Sequence, residues 1–429
     1  MTRMVASLSA LILSIVLLVS GNAFLMTLLG IRLGIEQVAP DIIGWVLVCY
    51  SIGFVLGTLY VHRIIGRVGH IRAFAVFAAF AAVASLMYPM ALSMGFWAFL
   101  RVLSGFSIAG VLVVVESWFS SRATNANRGA LFAVYQVVFY LSAAGGQLLV
   151  NVGDPASFLP FSLAAILLTL ALVPLSLTRM EAPVIEQVSR LSFFTLARES
   201  FTGVAGAVIC GVLIGGFYAL GPVYATLVGL DLAKVSTFMA SAIVAAMILA
   251  WPLGRVCDRF DRRRVMFWVA LTAALAAALV GLLGAFDPWL LMLLVGTVVG
   301  LSATLYPVAV AITNDRMESS RIVPASATLL LSYGIGSVLG PIVMARLIAL
   351  LGPEGLFFGM AVFLTLLALI TSYRISHTED VPVADQEQFV TTMPESSVVL
   401  TELDPRNEAF QEAPEAQEPP PESQMPKAG

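Results

Sequence analysis

The chain has 429 residues, 59% of them hydrophobic and 11% charged, whereas soluble globular proteins run near 45–50% apolar and about 25% charged; an ordinary water-soluble domain is excluded. The formal net charge of −3 conceals a division, because residues 378–429 hold twelve acids against Arg406 and Lys427 and leave residues 1–377 with 21 basic and 14 acidic side chains. The body is therefore basic, as suits loops that face anionic lipid.

The apolar residues arrive in runs of about 20, the length a helix needs to cross roughly 30 Å of hydrocarbon, and without the shorter alternating segments of membrane strands. Breaks at Gly, Pro and charge place spans near residues 8–29, 41–62, 73–92, 95–117, 129–150 and 156–178. Six more fall near 200–226, 235–256, 265–286, 288–313, 322–347 and 353–373. The first run follows Arg3 but is too long for a signal peptide and lacks a clear cleavage site, so it reads as a membrane helix.

The connections divide by charge. One set carries Arg63, Arg67 and Arg72, then Arg122 and Arg128, Arg179, Arg190 and Arg198, Arg255 to Arg264, and Arg316 and Arg321; the other carries only Arg32, Lys234 and Arg346. Positive loops stay in the cytoplasm, which places both termini there.

In the fourth span Arg101 precedes Ser104, Gly105, Ser107 and Gly110. An Arg inside a span costs about 2.5–3.5 kcal/mol to insert, so it faces a wet cavity or a partner unless it snorkels to the interface. The same helix ends on Glu116-Ser-Trp118, and the fifth span carries Tyr135, Gln136 and Tyr140. Glu116 is the one carboxylate placed within a span.

Residues 179–199 form a charged connector between the two groups of six spans. The groups echo each other: at an offset of 192 Arg67 aligns with Arg259 and Arg72 with Arg264, and at 193 Arg128 aligns with Arg321 and Tyr140 with Tyr333. Duplicated halves matter because transporter sites lie between them. Beyond residue 378 the chain is acidic and Pro-rich with little to bury, and is expected to be disordered.

The eighth span ends in Gly254-Arg-Val-Cys-Asp258-Arg259-Phe-Asp261-Arg262-Arg263-Arg264. This resembles the G-x-x-x-D-R-x-G-R-R loop of the major facilitator superfamily, with Asp261 where that family usually has glycine. A carboxylate at a helix end can hold the positive N-terminus of a neighbouring helix, while arginines bind lipid phosphate. The first-half copy, Gly66-Arg67-Val-Gly-His70-Ile-Arg72, lacks the carboxylate. Arg101 to Gly110 is similar to the family's R-x-x-x-G pattern. Together with Trp251-Pro252-Leu253-Gly254, Leu305-Tyr306-Pro307-Val308 and Tyr333 to Pro341, these segments resemble the YcaD-like branch of the superfamily.

The resemblance implies an all-α membrane protein of twelve transmembrane helices in two pseudo-symmetric six-helix bundles. Residues 1–178 and 200–377 would be the bundles, 179–199 a cytoplasmic linker and 378–429 a cytoplasmic tail. It further implies a cavity lined by Asn22, Arg101, Gln136, Tyr140, Tyr218, Tyr306 and Tyr333, and a cytoplasmic gate of Glu116, Arg128, Gly254, Asp258, Arg259 and Arg262, with Glu116 paired to Arg128 or Arg259. The expected function is secondary transport of a small organic solute by alternating access, with proton coupling open, in the bacterial inner membrane; a non-transporting receptor or scaffold acting through the tail is the alternative.

The three histidines fall at loops or in the tail, Cys49, Cys210 and Cys257 lie far apart, and no Walker motif is present. An enzyme, a metal site and direct ATP use are not expected. The partners expected are a small solute, lipid and, in the coupled case, protons, for a monomer without cofactor or nucleic acid.

Overall fold

A computed structural model describes residues 2–121, 127–178, 191–284, 287–379, 381–383, 386 and 389–393. Twelve of its helices are long and apolar enough to cross a membrane: α1 Leu8–Ile35, α2 Pro40–Val68, α3 His70–Met90, α4 Met94–Ser120, α5 Gly129–Val152, α6 Leu159–Leu177, α7 Phe201–Leu227, α8 Leu232–Cys257, α9 Arg262–Leu283, α10 Pro288–Asn314, α11 Ile322–Leu351 and α12 Gly355–His377. Several outrun the apolar segments read from sequence. At 29 residues α2 is about 43 Å long, because a helix continues into the headgroup layer until a turn residue stops it. Gly69, at φ 83°, stops this one. Aspartates start three others: Asp231, Asp261 and Asp287 accept hydrogen bonds from the backbone N–H of Lys234, Arg263 and Leu290.

The packing repeats after six helices. In the first half α2 packs on α4, α1 on α5 and α3 on α6; in the second α8 packs on α10, α7 on α11 and α9 on α12. Small residues set these close approaches. A Cβ at Gly53 of α2 would strike the Val102 backbone of α4, one at Gly300 of α10 would strike Ala245 of α8, and Gly211 of α7 lies against Tyr333 and Ser337 of α11. The result is two pseudo-symmetric six-helix bundles, an entirely helical fold among the described residues.

The bundles meet through α2 on α11, α5 on α8 and α1 on α7. At the arginine-poor end Gly44 lies against Pro341 and Ala345, Gly30 against Pro222, and the Asn151 amide donates to Ser236 Oγ at 2.8 Å. Large apolar side chains point outward, among them Trp45 and Trp289 near one end and Trp251 and Trp268 near the other, the distribution of an aromatic belt at each membrane interface.

The connector's residues 179–190 lie outside the described residues. Its end differs from a plain charged link. Phe193–Glu199 is a short helix that buries Leu196, and Glu199 pairs with Arg321 at 2.9 Å.

Candidate functional site

Between the bundles lies a cavity of about 160 Å³, the scale of void that takes a benzene-sized solute. Its wall is mostly apolar, from Leu18 and Met26 of α1, Phe54 of α2, Phe139 of α5 and Met239 and Ile243 of α8. Polar groups enter it at chosen places, as in most small-molecule sites. The first bundle supplies Asn22, Thr27, Tyr50, Ser51, Arg101 and Gln147, and the second Tyr218, Tyr333 and Ser337.

Arg101 is 1% exposed, so it does not reach an aqueous interface. Both terminal nitrogens stand 3.1 Å from Met26 Sδ, one is 3.4 Å from Leu47 O, and the guanidinium carbon lies 4.6 Å from the centre of the Tyr50 ring. Its Nε has no hydrogen-bond partner. Among the described residues no carboxylate forms an ion pair with Arg101. A methionine sulfur, a carbonyl, an aromatic face and the Tyr88 hydroxyl only partly replace the water a guanidinium gives up.

Asn22 Nδ2 is 3.2 Å from Tyr50 Oη, which fixes that ring over Arg101. Deeper in the same bundle Thr27 Oγ1 bonds Gln147 Oε1, and Gln147 Nε2 donates to Ala23 O at 3.4 Å. Four of the seven cavity residues expected from sequence, Asn22, Arg101, Tyr218 and Tyr333, line this space. The other three do not. Tyr306 is buried behind Tyr333, its ring edge-on at 5.6 Å; Tyr140 is buried against Phe139; Gln136 stands outside the wall with a buried, unpartnered Nε2. Tyr50 and Gln147 line it instead. Tyr50 lies in an apolar stretch, Val46-Leu-Val-Cys-Tyr50, that gives no sign of a polar wall; Gln147 follows Gly145 and Gly146, and only the packing of Gly146 on Ser20 turns it toward α1.

At the arginine-rich end the motif residues separate into two kinds. Arg262 is buried and forms an ion pair with Asp315 at the end of α10, itself nearly buried; Arg263 is also buried, while Arg264 is exposed. A lipid-phosphate role thus suits Arg264 but not its two neighbours. Asp261 caps α9 through the Arg263 amide at 2.9 Å, which accounts for a carboxylate where the family pattern has glycine. Arg316, beside this cluster, is held below the ordinary guanidinium pKa by burial and by the charge of Arg374.

Asp258 takes a different partner from the helix end expected. Its Oδ1 accepts the backbone N–H of Phe389 at 2.7 Å, and the Phe389 ring lies over Gly254. Arg259 is exposed and forms no ion pair with Glu116 among the described residues. The side chain of Arg128 lies outside the described residues. Glu116 is fully buried and accepts a hydrogen bond from Tyr135 Oη at 2.5 Å.

The sequence matches the family described as Major Facilitator Superfamily over residues 4–280 and 209–413. It is 32% identical over 387 residues to an uncharacterised MFS-type transporter, YcaD, of Escherichia fergusonii, covering 86% of this chain and 96% of that one. A counterpart from Enterobacter is 31% identical with the same coverage. Among solved structures the fold is similar to that of the nucleoside transporter NupG, at a TM-score of 0.73 with 15% identity over 87% of this chain and all of the other. It is also similar to a bacterial homologue of the human lysosomal transporter Spinster in an inward-facing, occupied conformation, at a TM-score of 0.70 with 14% identity over 89% and 97% of the two chains.

Proposed function

Because the chain belongs to the Major Facilitator Superfamily, we propose that it is a secondary transporter that carries a small organic anion across the bacterial inner membrane by alternating access. The observation that carries the substrate class is Arg101: a buried guanidinium at the wall of a ring-sized apolar cavity, with no carboxylate beside it among the described residues. A carboxylate on the solute supplies the missing partner, since charge-assisted, bidentate pairing is what a planar guanidinium offers. The apolar wall and the rings of Tyr50, Tyr218 and Tyr333 favour an aromatic or branched body over a sugar.

Positive loops at one end orient the protein with both termini inside. On that orientation the bundle contacts at Gly30, Gly44 and Asn151 lie on the outer side, which supports reading this conformation as inward-facing. On this reading Gly254, Asp258 and Arg259 form the inner gate, with Glu116, Arg128 and Arg262 as its supporting charges. Where transport is driven by protons, Glu116 is the carboxylate within a span able to carry one.

Counterflow in proteoliposomes, with benzoate as the first probe and a panel of aromatic and branched carboxylates behind it, tests the reading. Exchange is expected for at least one carboxylate and is expected to vanish in Arg101→Gln with the fold intact. Folded protein that exchanges none of the panel, or exchanges it equally well without the guanidinium, contradicts the anionic substrate.

A further inference from the structure

The twelfth helix ends at His377, and the chain does not leave the protein there. Thr378 O accepts from Arg263 Nη1 at 3.2 Å, and Glu379 O accepts from Arg316 Nη2 at 3.1 Å. Gln386 closes a local turn onto Val381 O at 3.2 Å. Phe389 then gives its N–H to Asp258 and covers Gly254 with its ring. Four residues later Met393 is 1% exposed, inside the apolar cluster that holds Val61 and Ile65 of α2 and Trp118 of α4, while Phe389 packs on the cluster that holds Cys257.

The described tail residues thus bond and pack on the arginine-rich end of the second bundle, at Arg263, Arg316, Asp258 and Gly254, and bury Met393 in an apolar cluster drawn mainly from the first. The anchoring groups are the loop motif itself: Asp258, the carboxylate of the pattern, is taken by a backbone N–H, and Arg263 by a carbonyl. An acidic, Pro-rich segment has little reason to be ordered unless specific groups hold it, and here Phe389 is half-buried and Met393 fully buried at the end where the bundles must approach one another when the inner side closes.

We propose that the tail, through Thr378, Glu379, Phe389 and Met393, acts as an autoinhibitory strap, which occupies the arginine-rich mouth, engages Asp258 and holds the transporter inward-facing until it is withdrawn. The proposal rests on the alternating-access reading. With Phe389 and Met393 in place the inner ends of the bundles cannot meet, and closure requires both side chains to leave and Asp258 to lose its N–H partner. The strap therefore shifts a two-state equilibrium by binding one state alone.

The test uses the full chain with Cys49, Cys210 and Cys257 replaced by serine and Ser236→Cys added as reporter. Ser236 is fully buried under Asn151 at the arginine-poor end and becomes reachable from outside when that end opens. Labelling by a membrane-impermeant maleimide is read in intact cells for four backgrounds: unaltered, Phe389→Asp with Met393→Asp, deletion of residues 378–429, and the wedge Gly44→Trp, which forces the outer contact apart whatever the tail does. Both tail variants are expected to raise the labelling rate about ten-fold or more. Labelling that rises with the wedge and not with either tail variant overturns the strap and leaves rocking intact. A reporter silent even with the wedge overturns the rocking itself, and the strap with it.

Discussion

Tyr135 of α5 donates its phenolic hydrogen to Glu116 of α4 at 2.5 Å, with neither side chain reaching solvent. The bond ties two helices of the first bundle at the arginine-rich end, and an intramolecular hydrogen bond contributes about 0.5–1.5 kcal/mol. Tyr135→Phe is expected to lower the unfolding free energy by about that amount, read as a lower midpoint in a thermal or denaturant melt of the purified protein. A midpoint equal to that of the unaltered protein shows that the bond stabilises nothing.

Arg262 and Asp315 form the buried ion pair of the second bundle. Removing one partner leaves a charge buried without compensation, at about 3–5 kcal/mol. Asp315→Asn is expected to lose close to that, while the double change Arg262→Met with Asp315→Leu, which leaves no orphan charge, is expected to recover most of it. Equal losses in single and double variants in a mutant cycle would remove the pair from the account.

Glycine contacts separate packing from composition. Gly53→Ala puts a Cβ onto the Val102 backbone, and Gly66→Ala meets nothing within 4 Å. The first is expected to cost about 1–3 kcal/mol through overpacking and the second to leave the melting midpoint in detergent unchanged. Indistinguishable melts would mean that α2 and α4 do not approach as closely as described.

Arg101 is held by a sulfur, a carbonyl, a ring and the Tyr88 hydroxyl rather than by a carboxylate. A carboxylate ligand that completes its shell stabilises the folded state by mass action, about 2.7 kcal/mol at a hundred-fold excess over Kd. Binding carboxylates are expected to raise the midpoint of the unaltered protein and not that of Arg101→Gln, whereas the corresponding neutral amides are expected to raise neither. An amide that stabilises as well as its acid would contradict the role of charge.

What could be read from sequence follows the physics of the solvent. Hydrophobic runs the thickness of the bilayer marked every span, and Arg asymmetry divided the loops, because both properties are carried by single residues in order along the chain. The cavity was harder. Asn22, Arg101, Tyr218 and Tyr333 were legible as polar groups in apolar helices, but Tyr140 and Tyr306 look the same in sequence and lie behind the wall, since a small helix rotation decides whether a ring faces solute or a neighbour. Glu116 illustrates the same limit: nothing in the sequence marks Tyr135, about two turns into the facing helix, as a hydrogen-bond donor to it. Phe389 and Met393, scattered among acids and prolines, carry no periodicity, so their docking onto Gly254 and Asp258 follows only from three-dimensional proximity.

The central claim is that two bundles rock about the Arg101 cavity, opening one end as the other closes. Its most direct test is electron–electron distance measurement in liposomes with two label pairs, Gly66 with Phe260 at the arginine-rich end and Ala39 with Lys234 at the other, before and after the Gly44→Trp wedge is introduced. The account predicts reciprocal change, the second pair lengthening as the first shortens. Both distances moving in the same direction, or the inner pair holding still while the outer pair lengthens, would contradict it.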